Sequence, residues 1–322
     1  MEEKYLELFL KNNYLLDKAF GDKANSVTVK FTALAYTLYR EIVNLDNIEE
    51  IHSLIAIKTD EQSPFREENY YILTMLLTLT ENSEDFLDCV LDAYSNLEVF
   101  FNANNFLSLT SEILCSYNSK LNIDTSIEDL RHTYSLFKER HWFLTGTEDI
   151  SICALINSNF NNTLLKINEA ESCYKYLKDI KFFPNNNVQL LSQILSFSEK
   201  PLKEKCMSAV RLQGFLEKEG IIIRDISLPL LGFVVLTLDD HETFINTFKK
   251  IDLKLKLNNK FSAFKIKEEL RFIISGCLTI LTLTHSTYDK NTMQLIFWFI
   301  LNISTKATTA FLETAINRIF ID

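Results

Sequence analysis

An apolar segment followed by an amphipathic one recurs about every 40 residues through the middle of this chain of 322 residues. The apolar segments span residues 70–79, 106–115, 150–156, 188–197 and 228–238. Periods of roughly 20 to 50 residues are typical of stacked helical units, none of which can bury its apolar face alone. The repeat therefore predicts that neighbouring units share one core.

The amphipathic half of each unit carries its apolar residues on a single face. Leu87, Val90 and Tyr94 are spaced at i, i+3 and i+7, which is the pattern of one side of an α-helix. These segments run into adjacent large apolar residues, such as Phe182 and Phe183. We expect each such pair to fold back over the apolar helix that follows it.

Together the two patterns predict an all-α fold in which tandem helix pairs of about 40 residues stack as an α-solenoid-like array. We expect a single continuous helical-repeat domain over residues 1–322, because no stretch rich in Pro, Gly or Ser interrupts the pattern. Within it, residues 1–60 are predicted to form N-terminal capping helices, residues 61–240 the core helix pairs, and residues 241–322 C-terminal capping helices.

The net charge of −10 is divided unevenly along the chain. Residues 1–150 carry 26 acidic and 12 basic side chains, whereas residues 151–322 carry 17 and 21. Seven lysines lie within residues 249–267, where Asp252 is the one acidic side chain. Such a cluster can bind an acidic protein, a nucleic acid or anionic lipid. We expect a solvated face and no nucleic-acid binding, because the cluster lacks arginines and a clear aromatic platform.

The longest apolar stretches are too short for a membrane span. Residues 272–284 and 293–303 contain 13 and 11 residues, fewer than the roughly 20 that a bilayer requires. The N-terminal residues 1–16 are acidic and amphipathic, unlike a signal peptide. We predict a cytoplasmic protein without a transmembrane segment.

Its six dispersed cysteines are expected to be reduced thiols, most of them buried.

Motifs for metal or cofactor binding are missing from the sequence. No two histidines are four residues apart, there is no Cys-x-x-Cys, and the six glycines do not form a phosphate loop. We therefore predict no cofactor and no metal. The stretch from Asp239 to Glu242 resembles a ligand cluster, but acidic residues also favour the first turn of a helix. We interpret this stretch as a helix start.

Four segments in order resemble an uncharacterised family of Gram-positive bacteria, domain-of-unknown-function family 4003. The first block is His141-Trp142-Phe143-Leu144-Thr145-Gly146-Thr147-Glu148-Asp149, followed by Cys153-Ala154-Leu155-Ile156. The other segments are residues 63–66, 186–195 and 269–271. The chain departs from the family pattern at Glu67, Trp142 and Gln193, and Gln193 replaces a histidine. The resemblance implies an all-helical bacterial protein of unknown activity.

Two hypotheses for function remain open. The first is a scaffold or adaptor that binds a protein or peptide segment along its helical stack. The second is an enzyme or small-ligand sensor built around the polar residues His141, Glu148, Asp149, Asn186 and Gln189. Binding is favoured over catalysis, because one histidine beside two carboxylates is more often found at a capped helix start than in an active site. The oligomeric state stays open.

The candidate binding residues cluster at predicted helix starts. They are Arg66, His141, Thr145, Glu148, Asp149, Asn186 and Gln189. Stacking of successive units is expected to place these helix starts side by side, where their N–H groups suit a carboxylate or phosphate. The alternative is that Thr147, Glu148, Asp149 and Asn186 are capping residues that satisfy those N–H groups themselves.

Overall fold

The computed structural model describes residues 3–117, 122–140, 145–287 and 289–319, with side chains up to residue 310. Over these residues the protein is all-α, with fifteen α-helices and no strand, which confirms the predicted fold class. The helices are α1 (Lys4–Phe20), α2 (Ser26–Leu38), α3 (Leu45–Lys58), α4 (Asn69–Thr78), α5 (Ser83–Glu98), α6 (Asn105–Tyr117), α7 (Ile123–Arg140), α8 (Glu148–Asn159), α9 (Thr163–Ile180), α10 (Asn186–Ser196), α11 (Leu202–Lys218), α12 (Pro229–Thr237), α13 (His241–Leu257), α14 (Glu268–Leu283) and α15 (Lys290–Ile319). Among the described helices, none has the length and apolar character needed to cross a membrane.

Every apolar segment of the repeat is a helix: α4, α6, α8, α10 and α12. The amphipathic helices α5, α9, α11 and α13 alternate with them and bury one face each. Short polar side chains begin several of these helices. Asn162 accepts from the N–H of Leu165, and Asp240 accepts from that of Thr243, so the predicted helix start at Asp239–Glu242 is confirmed.

The chain divides into two compact units. Unit 1 contains the described residues of Met1–Glu7, Arg140–Leu144 and Asn162–Ile296, and unit 2 contains those of Leu8–Glu139, Thr145–Asn161 and Phe297–Asp322. In unit 1, α12 packs against α10 and α14, and α11 packs against α9 and α13. In unit 2, α4 packs against α6, α6 against α8, and α3 against α5. In each unit, apolar helices thus pack against apolar helices and amphipathic helices against amphipathic ones. The solenoid-like array and the single continuous domain stay predictions.

Close packing of the apolar helices in unit 1 depends on a small residue. Helix α12 is apolar all round, and Pro229 to Val235 are buried without a break, as expected for a helix covered on all sides. A Cβ added at Gly232 would lie 2.6 Å from Cγ2 of Ile194 on α10. Because that distance is well inside van der Waals contact, glycine is what allows α10 and α12 to approach.

A disulfide bond joins Cys89 of α5 to Cys115 of α6, so the prediction that every cysteine is a reduced thiol is wrong for this pair. The two helices belong to successive units of the repeat and pack against each other, which brings the Cα atoms to 6.1 Å. Their separation of 26 residues hides this proximity in the sequence. The other four cysteines are free and buried: Cys153, Cys173, Cys206 and Cys277.

Helix α15 belongs to unit 2 from Phe297 onward. Its residues from Phe297 to Thr305 are buried on every face. Within the unit, Asn302 donates to the carbonyl oxygen of Glu148 at 2.9 Å and to Oγ of Ser151 at 2.7 Å. Helix α15 therefore packs against the start of α8, a segment about 150 residues earlier in the chain.

Candidate functional site

Arg66 binds the C-terminal end of helix α3. Its Nε donates to Oγ1 of Thr59 at 2.7 Å, and its Nη2 donates to the carbonyl oxygens of Ala56 at 2.8 Å and Thr59 at 2.9 Å. A 3-10 turn that starts at Pro64, with Ser63 as its cap, positions the side chain. The last carbonyls of a helix have no partner within it, and a guanidinium satisfies them while complementing their partial negative charge. The half-buried Arg66 thus has a structural role as a cap.

Thr145, Glu148 and Asp149 come together at the start of α8. The buried Asp149 accepts a hydrogen bond from the backbone N–H of Gly146 at 2.9 Å, and Oγ1 of Thr145 donates to the carbonyl oxygen of Phe137 at 3.3 Å. Glu148 forms an ion pair with Lys306 of the same unit, with the charged atoms 3.3 Å apart. The side chains at this helix start therefore contact the nearby backbone and Lys306.

Asn186 and Gln189 lie in the first turn of α10. The cap of this helix is Asn185, whose Oδ1 accepts from the N–H groups of Asn187 at 2.9 Å and Val188 at 3.0 Å. Asn186, which the sequence suggested as a cap, is the first helical residue and is half-buried. Gln189 is buried. The expectation that Asn186 caps α10 is therefore wrong, because Asn185 holds the capping position.

The remaining candidate, His141, lies outside the described residues. Arg66, Thr145, Glu148 and Asp149 belong to unit 2, and Asn186 and Gln189 belong to unit 1. The binding site expected from the sequence stays a prediction.

Exposed apolar side chains mark the ends of α9 and α11 in unit 1. We call these four residues the apolar rim: Ile180, Phe183, Phe215 and Ile222. The ends of the two helices lie side by side, because Nζ of Lys181 is 3.2 Å from Oε2 of Glu217. The exposed fraction is 88 % for Phe183 and 55 % for Ile222. The expectation that these termini fold back entirely over the next apolar helix is therefore wrong.

Backbone geometry explains why the rim points outward. Phe182 is buried, and its N–H donates to the carbonyl oxygen of Leu177 at 3.0 Å, so the chain turns and leaves Phe183 in solvent. After α11, Gly220 adopts a positive φ of 76°, and the N–H of Ile221 reaches back to Leu216. Phe182 thus lies in the core with Phe183 outside it, whereas Ile221 is half-buried beside the exposed Ile222.

A buried carboxyl group in unit 2 was missed by the sequence analysis. Glu112 of α6 is fully buried, and Asn69 of α4 donates to its Oε1 at 2.7 Å. Burial raises the pKa of Glu112 well above its ordinary value, and the Asn69 hydrogen bond opposes that shift in part. The sequence feature that could have indicated this buried carboxyl group is a glutamate inside the segment 106–115, which is otherwise apolar or small and polar.

The sequence model of one protein family matches residues 13–311, which is most of the chain. The family is described as "Protein of unknown function (DUF4003)". The chain belongs to the DUF4003 family. No curated protein and no solved structure matches it.

The match to DUF4003 includes every candidate residue described above. The apolar rim, the residues at the starts of α8 and α10, and the pair of Asn69 and Glu112 all fall inside residues 13–311. The family description names no activity, so membership in DUF4003 leaves function to be inferred from the geometry.

Proposed function

We propose that the protein is a helical-repeat scaffold that binds a protein or peptide segment at the apolar rim of unit 1. The observation that carries this proposal is the exposure of Phe183, 88 %, beside that of Ile222 on the neighbouring helix end. Large apolar side chains that cluster on a surface are typical of interaction sites. Aromatic anchors supply much of the binding energy at such sites.

The charges around the rim define the segment that fits it. Lys181 and Glu217 pair between the apolar residues, and Lys218 lies 5.7 Å from the ring centroid of Phe215. A partner with two or more apolar side chains, flanked by groups of both charges, would bury the rim and keep its ion pair hydrated at the margin. We therefore propose an amphipathic protein segment as the partner, and no nucleic acid.

The alternative function is an enzyme or small-ligand sensor at the polar helix starts. It depends on His141, which is outside the described residues, and on the polar residues Asp149, Asn186 and Gln189. The hydrogen bonds found at these helix starts are those of capping and packing. The scaffold is the function that the observed geometry supports better.

Affinity purification from the native host tests the scaffold, with proteins and small molecules identified together by mass spectrometry. The wild type is compared with the double variant Phe183→Ser/Ile222→Ser, and the matched control is Leu164→Ser/Leu165→Ser, which alters exposed apolar residues at the opposite end of α9. We expect a stoichiometric protein to co-purify with the wild type and the control but not with the rim variant. Equal recovery with the rim variant, or recovery of a metabolite alone, would contradict the proposal.

A further inference from the structure

The C-terminal end of α13 presents two leucines to solvent. Leu253 and Leu257 are four residues apart, so they lie on one face of the helix, and their exposed fractions are 56 % and 74 %. The opposite face, which includes Phe248, Ile251 and Leu255, is buried. The apolar core of unit 1 is therefore complete without the two exposed leucines.

The turn after α13 exposes an aromatic ring. Phe264 is 99 % exposed. The N–H of Lys265 donates to the carbonyl oxygen of Ser262 at 2.8 Å, which closes a tight turn with Phe264 in its central part. The buried side chains of Phe261 and Ile266 anchor the chain on either side. The structure thus holds Phe264 out of the core on an anchored turn.

Lysines alternate in the sequence with these three apolar side chains. Residues 249–267 contain seven lysines and one acidic residue, Asp252. Asp252 is directed inward, where it accepts hydrogen bonds from Nε of Arg271 at 2.9 Å and from Oγ of Ser275 at 2.8 Å. Two of the lysines pair with acidic groups, Lys249 with Glu219 and Lys254 with Glu3. Other lysines of the cluster, such as Lys256, Lys265 and Lys267, are exposed and lie within three residues of Leu257 or Phe264 in the sequence.

We propose that this basic-apolar surface, formed by Leu253, Leu257, Phe264, Lys256, Lys265 and Lys267, docks the protein on a phospholipid bilayer with anionic headgroups. Protruding apolar side chains enter the interfacial region of a bilayer, and flanking lysines attract its anionic lipids. The lysines keep their charged ends at the headgroups while their aliphatic stems cover apolar surface. The prediction of a solvated face considered the lysines alone. It did not consider the three exposed apolar residues among them.

Two features favour a bilayer over an acidic protein. Phe264 and Leu257 project from the surface, and a bilayer accepts such side chains without a matching pocket, whereas a protein partner needs complementary shape. The basic residues within 249–267 are all lysines, which act as point charges toward diffuse anionic lipid, while arginine is preferred for bidentate recognition of individual groups.

Vesicle sedimentation tests the proposal with the full chain. Vesicles of phosphatidylcholine are compared with vesicles that also contain about 30 mol% phosphatidylserine, in about 0.1 M and about 0.5 M NaCl. We expect binding to the anionic vesicles that weakens with salt. The charge-reversal variant Lys256→Glu/Lys265→Glu/Lys267→Glu should bind on the order of 100-fold more weakly. The control Lys11→Glu/Lys178→Glu/Lys203→Glu, which changes the net charge equally at exposed lysines elsewhere, should bind much as the wild type does.

Fluorescence distinguishes insertion from simple charge attraction. The variant Phe264→Trp should show a blue shift of emission when anionic vesicles are added, and the control Phe183→Trp, at another exposed aromatic of unit 1, should not. Lack of binding to anionic vesicles, equal binding by the two charge-reversal variants, or an unshifted Phe264→Trp spectrum would overturn the proposal. Salt-sensitive binding to an oligonucleotide or to an acidic peptide in place of vesicles would also overturn it.

Discussion

Asn69 of α4 donates a hydrogen bond of 2.7 Å to Oε1 of Glu112 of α6 inside the core of unit 2. Both side chains are buried. Because α4 and α6 are successive apolar helices, this contact joins two units of the repeat through a carboxyl group whose pKa is raised well above its ordinary value by burial.

The first prediction concerns the pH dependence of stability. The pKa of Glu112 is raised in the folded state above its ordinary value of 4.5, so the folded protein keeps a proton that the unfolded chain releases as the pH rises. Stability is therefore fully present below pH 4.5 and falls by about 1.4 kcal/mol per pH unit up to the folded-state pKa. Glu112→Gln, which stays neutral, should unfold at higher urea than the wild type at pH 8 and at a similar concentration at pH 4.

The control for this prediction is Glu50→Gln, at an exposed position of the same unit. Its difference from the wild type should stay small at both pH values. If Glu112→Gln lost stability equally at pH 4 and pH 8, the proposed protonation of Glu112 would be wrong.

The second prediction concerns Arg66. Replacement by Ala leaves the carbonyl oxygens of Ala56 and Thr59 without their charged donor, so Arg66→Ala should lower the free energy of unfolding by about 1–3 kcal/mol. Arg66→Lys keeps the charge but not the planar fork and should give an intermediate loss. Urea unfolding measures both variants. Unchanged stability with loss of a bound ligand would instead assign Arg66 to a binding site.

The third prediction is a count of thiols. Under denaturing conditions without reductant, a thiol reagent should label four cysteines, and it should label six after reduction, because Cys89 and Cys115 are joined. In the native protein little labelling is expected, since the four free cysteines are buried. Reduction should destabilise the protein by about 2–4 kcal/mol. Six reactive thiols in the unreduced, denatured protein would refute the disulfide.

Helix positions were predictable from the sequence where apolar residues run together. Residues 70–79 and 228–238 are nearly continuous apolar runs, and both are helices because burial of such a run determines the local structure. Helix boundaries were harder to predict. Asn168 and Glu171 have the spacing of a capping box, yet α9 begins at Thr163 with Asn162 as its cap. Polar pairs with this spacing also occur on the exposed face of a helix, so the motif alone does not locate a helix start.

The candidate surfaces were harder to predict from the sequence than the helices. Whether Phe182 or Phe183 enters the core depends on the backbone turn after α9, and the two residues are chemically identical. The disulfide likewise requires α5 and α6 to approach in space, which no local pattern encodes. The lysine cluster was visible in the sequence, whereas its relation to the exposed Phe264 follows from the turn closed between Ser262 and Lys265.

The most direct test of the scaffold is a calorimetric titration of the purified partner segment into the wild type and into Phe183→Ser. An aromatic anchor at the centre of an interface contributes at least about 2 kcal/mol, so Kd should rise about 30-fold or more in this variant. The control Leu165→Ser, at an exposed leucine near the other end of α9, should leave Kd unchanged. Equal Kd values for the wild type and Phe183→Ser would contradict binding at the apolar rim.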